Sequence, residues 1–172
     1  MTRKERRENY VKVMKKDAYM GFTTAPHFDE DWEPDLMLTG CWAHAMWVLG
    51  QHSAVASGYH SGFPGNLLKR FAALFPDKRR VLHICFGMVD LEQMPGDTLD
   101  MRPEPDPTYC CDAETCEGVP LEEYDLIVVD PPYTGEDAEH YGTCMVNRQK
   151  VMRTLAERCR PGTHVIWVDQ VL

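Results

Sequence analysis

The sequence has no long apolar run. Its longest apolar stretches, such as Ala45–Gly50 and Leu126–Val129, fall far short of the roughly 20 residues that a helix needs to cross a bilayer. No membrane span is expected. No apolar segment follows the basic N-terminus, so a secretory signal is not expected either. There is no cysteine framework: the seven cysteines are an odd number and contain no Cys-x₂-Cys pair. They read as reduced thiols of a cytoplasmic protein. Positive charge is scarce, with 18 Lys and Arg against 27 Asp and Glu and a net charge of −9. That excludes a protein that coats nucleic acid through bulk charge. No internal repeat or low-complexity segment occurs.

What is present is enough for a core. Hydrophobic residues make up 44% of 172 positions, which suits one compact domain, or one domain plus an arm. The charge is divided unevenly. Residues 1–16 hold seven bases (Arg3, Lys4, Arg6, Arg7, Lys12, Lys15 and Lys16) and two acids, a net of +5 that leaves −14 on the rest. Mobile basic segments contact phosphates without reading sequence, so residues 1–16 are the expected nucleic-acid contact. A solvated helix is the plainer reading of residues 3–20.

Residues 26–35 form an acidic loop bounded by prolines. Asp35–Thr39 reads as a short strand, Cys41–Leu49 as a helix and Ser57–Gly65 as a loop. Leu67, Leu68, Phe71, Leu74 and Phe75 recur at helical spacing before Pro76. Strands are expected over Val81–Cys85, Asp97–Met101, Thr108–Cys111, Tyr124–Val129 and, as a final buried strand, Thr163–Val168. A helix is expected over 143–160, with Met145, Val151, Met152, Leu155 and Cys159 on one face, stopped by Pro161-Gly162. Apolar strands alternating with helices predict an α/β fold, a mostly parallel sheet covered by helices on both faces. Residues 1–60 would be arm and extension, and 61–172 the α/β core.

The chemistry concentrates at Asp130-Pro131-Pro132-Tyr133, which follows the strongest strand. In open α/β sheets ligands bind at the carboxyl ends of strands. Asp130 supplies an acceptor for an amino group. The two prolines fix φ and remove two N–H donors, leaving the Asp130 and Pro131 carbonyls as rigid acceptors. Tyr133 offers a flat face on which a base can stack, worth about 1–3 kcal/mol.

With its setting, this tetrapeptide resembles the amino-methyltransferases of the S-adenosylmethionine-dependent class I, Rossmann-like fold. In that family Asp-Pro-Pro-Tyr follows the fourth strand and holds the target amine, most often adenine N6 in DNA. The resemblance covers about residues 64–172. It implies that Asp130, Pro131, Pro132 and Tyr133 are catalytic and that S-adenosylmethionine is the cofactor. Pro64-Gly65-Asn66-Leu67-Leu68-Lys69-Arg70 resembles a family motif that starts with Pro and binds the cofactor's methionine end. Val81-Leu82-His83-Ile84-Cys85-Phe86-Gly87-Met88-Val89 resembles the family's first-strand motif. Here His83 stands where the family has Asp, and Val89 where it has a second Gly. Pro64, His83, Phe86 and Gly87 are thus the implied cofactor contacts. Asp100 falls in the position that takes the ribose hydroxyls, with Glu104 as fallback, and Asp112 in the one that faces the adenine amine.

The first two strands of this core are separated by only eleven residues, 86–96, so any helix between them is one or two turns long. Prolines alternate through 102–107 and exclude a helix there. The expectation is a trimmed class I domain lacking the final antiparallel hairpin. Either the sheet is cut short, or an edge is supplied by the early segment around Leu36–Thr39, by a protein partner or by a second copy.

No metal site is expected, because Cys110 and Cys111 are adjacent, a poor geometry for one tetrahedral ion. His83 and Cys85 share one side of a strand, but nothing completes a catalytic triad. Residues 134–142 read as a flexible acidic loop, better suited to a lid than to a phosphate clamp. Two alternatives stand beside the adenine reading: guanine N2 in RNA, and a non-catalytic or partner-dependent binding subunit.

Overall fold

A computed structural model describes residues 1–2, 4–9, 12, 37–39, 42–44, 67–87 and 91–169. Its contacts divide the chain into two compact units. One comprises Met1–Asp77 with Glu92–Met94, and the other Lys78–Leu91 with Pro95–Leu172.

The first unit holds a β-hairpin and a helix. Strands β1 (Met37–Thr39) and β2 (Trp42–His44) pair antiparallel, with Thr39 opposite Trp42. The helix expected over Cys41–Leu49 is therefore corrected at its start. Only Gly40 and Cys41 separate the strands in sequence, and a two-residue connection containing Gly favours a hairpin. Helix α1 spans Leu67–Leu74 and buries Leu67, Leu68, Arg70, Phe71 and Ala73, close to its predicted apolar stripe. Residues 4–9 are helical. From them Arg6 donates to the Leu74 carbonyl at the end of α1 (2.9 Å) and to both Asp77 carboxylate oxygens (2.7 and 3.2 Å). Arg6 also stacks 4.8 Å over the Phe75 ring. One base of the N-terminal arm is thus engaged within its own unit, and it holds the Asp77 carboxyl down at about 2.

The second unit is an α/β structure built on a five-stranded, all-parallel sheet. Its strands are β3 (Val81–Ile84), β4 (Asp97–Asp100), β5 (Tyr109–Cys110), β6 (Leu126–Val129) and β7 (His164–Trp167). They lie in the order β5-β4-β3-β6-β7. The order reverses between β3 and β6, which makes the carboxyl ends of these two strands a topological switch point. Every residue of β3 and β6 is buried, as expected for strands covered on both faces.

One face of the sheet carries Leu82, Ile84, Leu99, Ile127 and Val129 into a core with Tyr124, Leu121, Val151 and Leu155. Val151 and Leu155 come from α3 (Arg148–Arg158), capped by the Asn147 side chain, which accepts from the Lys150 N–H. Met145 and Met152 do not join them. Both are exposed: Met145 precedes α3, which begins at Arg148 rather than at 143 as expected, and Met152 falls outside the i, i+4 stripe through 151 and 155. β7 is another correction: His164 and Val165 are exposed. It ends the sheet order, so β6 is its one described strand neighbour.

The crossovers before β6 carry turns and a 3₁₀ turn at Leu121–Glu123 among their described residues. Arg158 holds part of that path by donating to the carbonyls of Thr115 (2.8 Å), Cys116 (3.0 Å) and Val119 (2.6 Å). The amino ends of the central strands meet at Asp125. Its carboxylate accepts from the Arg79 and Arg80 N–H groups (3.1 Å each). Its own N–H donates to the Arg80 carbonyl (3.0 Å), and its carbonyl accepts from the His164 N–H (3.1 Å). No helix among the described residues is long and apolar enough to cross a membrane.

Gly96 enters β4 against β3. A Cβ there would lie 2.6 Å from the Val81 carbonyl oxygen and 2.9 Å from the Val81 Cβ. Gly96→Ala is expected to destabilise the fold by about 1–3 kcal/mol, as overpacking does, read as a lower urea midpoint. An unchanged midpoint would mean that the β3–β4 contact yields without cost.

Candidate functional site at the carboxyl edge of the sheet

The Asp130–Tyr133 tetrapeptide leaves β6 at the switch point. The Asp130 N–H continues the parallel ladder by donating to the Ile84 carbonyl (3.1 Å), and the Val168 N–H donates to the Val129 carbonyl (2.9 Å). Asp130 is thereby held beside the end of β3. Pro131 is buried, Pro132 partly buried and Tyr133 exposed. The Tyr133 hydroxyl donates to Asp130 Oδ1 (2.8 Å). No group among the described residues donates to the other oxygen, Oδ2.

The electrostatics set this carboxyl apart. Burial pushes the Asp130 carboxyl up to about 6, the Tyr133 hydrogen bond pulls it down, and the charge of Asp169 pushes it up again. Burial and the neighbouring Asp130 carboxylate raise the Tyr133 phenol well above its usual range. Tyr133 therefore stays a donor through the ordinary pH range.

Asp169, just beyond β7, is bracketed by Arg148 from the first turn of α3. Arg148 reaches its carboxylate at 2.5 and 2.9 Å and donates to the Pro132 carbonyl (3.3 Å). The Trp167 indole N–H also donates to Asp169 (3.1 Å). Sequence reasoning missed Arg148 and Asp169. The available signal was positional: an acid follows β7 as one follows β6.

The chain after β3 turns sharply. Cys85 (φ 58°) and Gly87 (φ 52°) are both left-handed. For Gly87 this conformation costs little, whereas for Cys85 it carries strain of about 1–3 kcal/mol. The Gly87 N–H donates to Asp100 Oδ2 (3.3 Å). Asp100 is buried at the end of β4. Its Oδ1 accepts from the Arg102 N–H (3.0 Å) and Nε (3.2 Å), and its Oδ2 also accepts from Arg102 Nη2 (3.4 Å). With Gly87, these bonds occupy the carboxylate's four acceptor positions.

Asp112 lies exposed beyond β5, and its Oδ1 accepts from the Glu114 N–H (2.8 Å). Phe86 is buried. His83 is buried inside β3, level with Thr98 and Val128 in the register. Pro64 lies outside the described residues. The structure thus gathers Gly87, Asp100 and Asp130 around the ends of β3, β4 and β6, whereas His83 sits back within its strand. Among the described residues, no group of three or more His, Cys, Asp or Glu is arranged to hold a metal ion.

Residues 134–142 are corrected from loop to helix. α2 spans Gly135–His140, with Thr134 and Asp137 forming a reciprocal capping box. Its end is a Schellman closure: Gly142 (φ 64°) donates to the Glu139 carbonyl (3.0 Å), and the Thr143 N–H to the Ala138 carbonyl (2.8 Å). The Thr134-x-x-Asp137 pattern and Gly142 were the legible signals.

Comparison of the chain with family models, curated proteins and solved structures gives no match.

The folded chain holds the Asp130 proton to higher pH than an unfolded chain, whose Asp titrates near about 4. This group's contribution to stability is therefore present below that value and is lost as pH rises through about 6. Carbon NMR of the Asp130 carboxyl should show a midpoint near about 6. In Tyr133→Phe the midpoint should move higher still, because the bond that stabilises the carboxylate is gone. A midpoint unchanged or lowered in that variant would dissolve the assigned pair.

Proposed function

We propose that the chain is an S-adenosylmethionine-dependent methyltransferase with a class I, Rossmann-like core. It acts on an exocyclic amino group of a nucleobase, with adenine N6 in DNA as the leading substrate. The observation that carries this reading is Asp130-Pro131-Pro132-Tyr133 leaving β6 beside β3, where the strand order reverses. Numbered in chain order, the sheet reads third, second, first, fourth, fifth, the order of a dinucleotide-binding half-sheet continued past its switch point.

The residues fit the cofactor in part. Phe86 and Gly87 line the turn after β3, and Asp112 has one carboxylate oxygen outside its turn bond; these would hold it. Asp100 would join them only by giving up Arg102 or Gly87. When bound, S-adenosylmethionine supplies an electrophilic methyl group on a sulfonium.

Everything else falls to this chain's own groups. Above about pH 6 Asp130 is a carboxylate, and Oδ2 can accept one amino hydrogen while the Pro131 carbonyl accepts the other. Together they orient the nitrogen lone pair for in-line attack, so that rate comes from positioning. Oδ2 is also placed to take the proton that the nitrogen loses. Tyr133 keeps its hydroxyl on Oδ1 and offers its ring to an extruded base, since the amine is out of reach inside a duplex. The N-terminal basic residues would meet the phosphates. A cytoplasmic setting goes with this reading, supported by six described cysteines that are all free.

A second reading, a partner-dependent binding subunit, is favoured by the full occupation of Asp100. Titration calorimetry with S-adenosylmethionine separates the two. Binding by the chain, alone or with DNA, is expected; no heat in either case removes the enzyme reading. Asp130→Ala is expected to abolish methyl transfer while leaving cofactor affinity within about twofold, since in this reading Asp130 meets the substrate amine and not the cofactor. Methylation of adenine-containing DNA and of guanine-containing RNA, assayed side by side, identifies the base.

A further inference from the structure

Arg102 ties together two strand ends that the sheet leaves apart. Three of its donors meet Asp100 at the end of β4. The fourth, Nη1, donates to the Tyr141 carbonyl (3.0 Å). Tyr141 is the C-cap of α2, the helix that follows the Asp130–Tyr133 tetrapeptide by one residue. The guanidinium therefore runs from the strand on one side of β3 to the segment issuing from the strand on its other side.

Two further contacts lie along the same path. The Thr143 hydroxyl lies 2.8 Å from Met101 Sδ, and Cys144 Sγ lies 4.0 Å from that sulfur. The tie is thus carried by Asp100, Met101 and Arg102 on one side and by Tyr141, Thr143 and Cys144 on the other. Its charged member is partly buried, and its carboxylate partner more deeply so.

We propose that Arg102 is a positioning residue that fixes α2, and through it the tetrapeptide, against the end of β4. Asp100 is then the anchor of this tie and not an acceptor for ligand hydroxyls. The site role rests on the methyltransferase reading, but the tie does not. Arg102 suits the task because its planar fork holds a carboxylate with one edge and keeps another donor for a carbonyl. A lysine offers a single ammonium and cannot reproduce that geometry.

Hydrogen–deuterium exchange on the full chain tests this without any ligand. Arg102→Lys keeps the charge beside Asp100 and releases Tyr141. Exchange over 135–143 is expected to rise about tenfold or more, in line with loss of a charged hydrogen bond, while 148–158 stays unchanged. Asp100→Asn should loosen the same segment, and the double variant should loosen it no further than the stronger single one. Unchanged exchange over 135–143 in folded Arg102→Lys overturns the proposal. So does a rise shared equally by 148–158, which would mark a general loss of stability.

Calorimetry with S-adenosylmethionine adds a second arm. If the parent chain binds it, Asp100→Asn should weaken binding no more than Arg102→Lys does. A larger loss in Asp100→Asn would return Asp100 to the ligand. If the parent chain does not bind it, the functional reading fails and the exchange result still decides the tie.

Discussion

Parallel pairing of β3 with β6 is the constraint on which the rest depends. Val81 to Ile84 run level with Leu126 to Val129, and all eight residues are buried. Burying a large aliphatic side chain stabilises by about 1.5–3 kcal/mol. An exposed ion pair such as Lys4–Glu8 adds about 0–1 kcal/mol. The central pair therefore outweighs the surface charges in holding the fold. It also determines where chemistry can occur. β4 and β5 extend the sheet on one side and β7 on the other, so the connections that leave β3 and β6 run to opposite sides.

The acids at that edge are not equivalent. Asp100 takes the Arg102 fork and Asp169 takes the Arg148 fork, whereas Asp130 takes a phenol. Burial without a neutralising cation among the described residues pushes the Asp130 carboxyl up to about 6. Such a perturbed group on a strand end marks a candidate site. The two forks immobilise the frame around it: Arg148 on the Pro132 carbonyl and Arg102 on the Tyr141 carbonyl.

Legibility followed the range of the interaction. β3, β6 and α1 could be read because local apolar pattern decides them. α2 was missed, since Gly-Glu-Asp-Ala-Glu-His has no apolar stripe and only its two caps, Thr134-x-x-Asp137 and Gly142, signal it. The hairpin at Thr39–Trp42 hid behind two tryptophans that suit a helix as well as a strand. The position of the tetrapeptide at the end of a buried strand was legible, because Leu126–Val129 is a continuous apolar run. Arg102 and Arg148 were not, because their partners Tyr141 and Asp169 lie 39 and 21 residues away, and nothing local announces a guanidinium that bridges loops. Asp100 was read as a ligand acceptor because its position at a strand end was visible and its occupant was not.

Asp125 carries one more consequence. It clamps the amino ends of β3, β6 and β7 through Arg79, Arg80 and His164. The four residues of β6, a span of about 16 Å from one aspartate to the other, separate it from Asp130. The Asp130 end of β6 thus takes its distance along the sheet from a fastening at the opposite end. A slip of one residue there would carry Asp130 about 3.3 Å along the strand and turn it to the other face. The placement of the candidate site is, in this sense, a property of the opposite end of the strand.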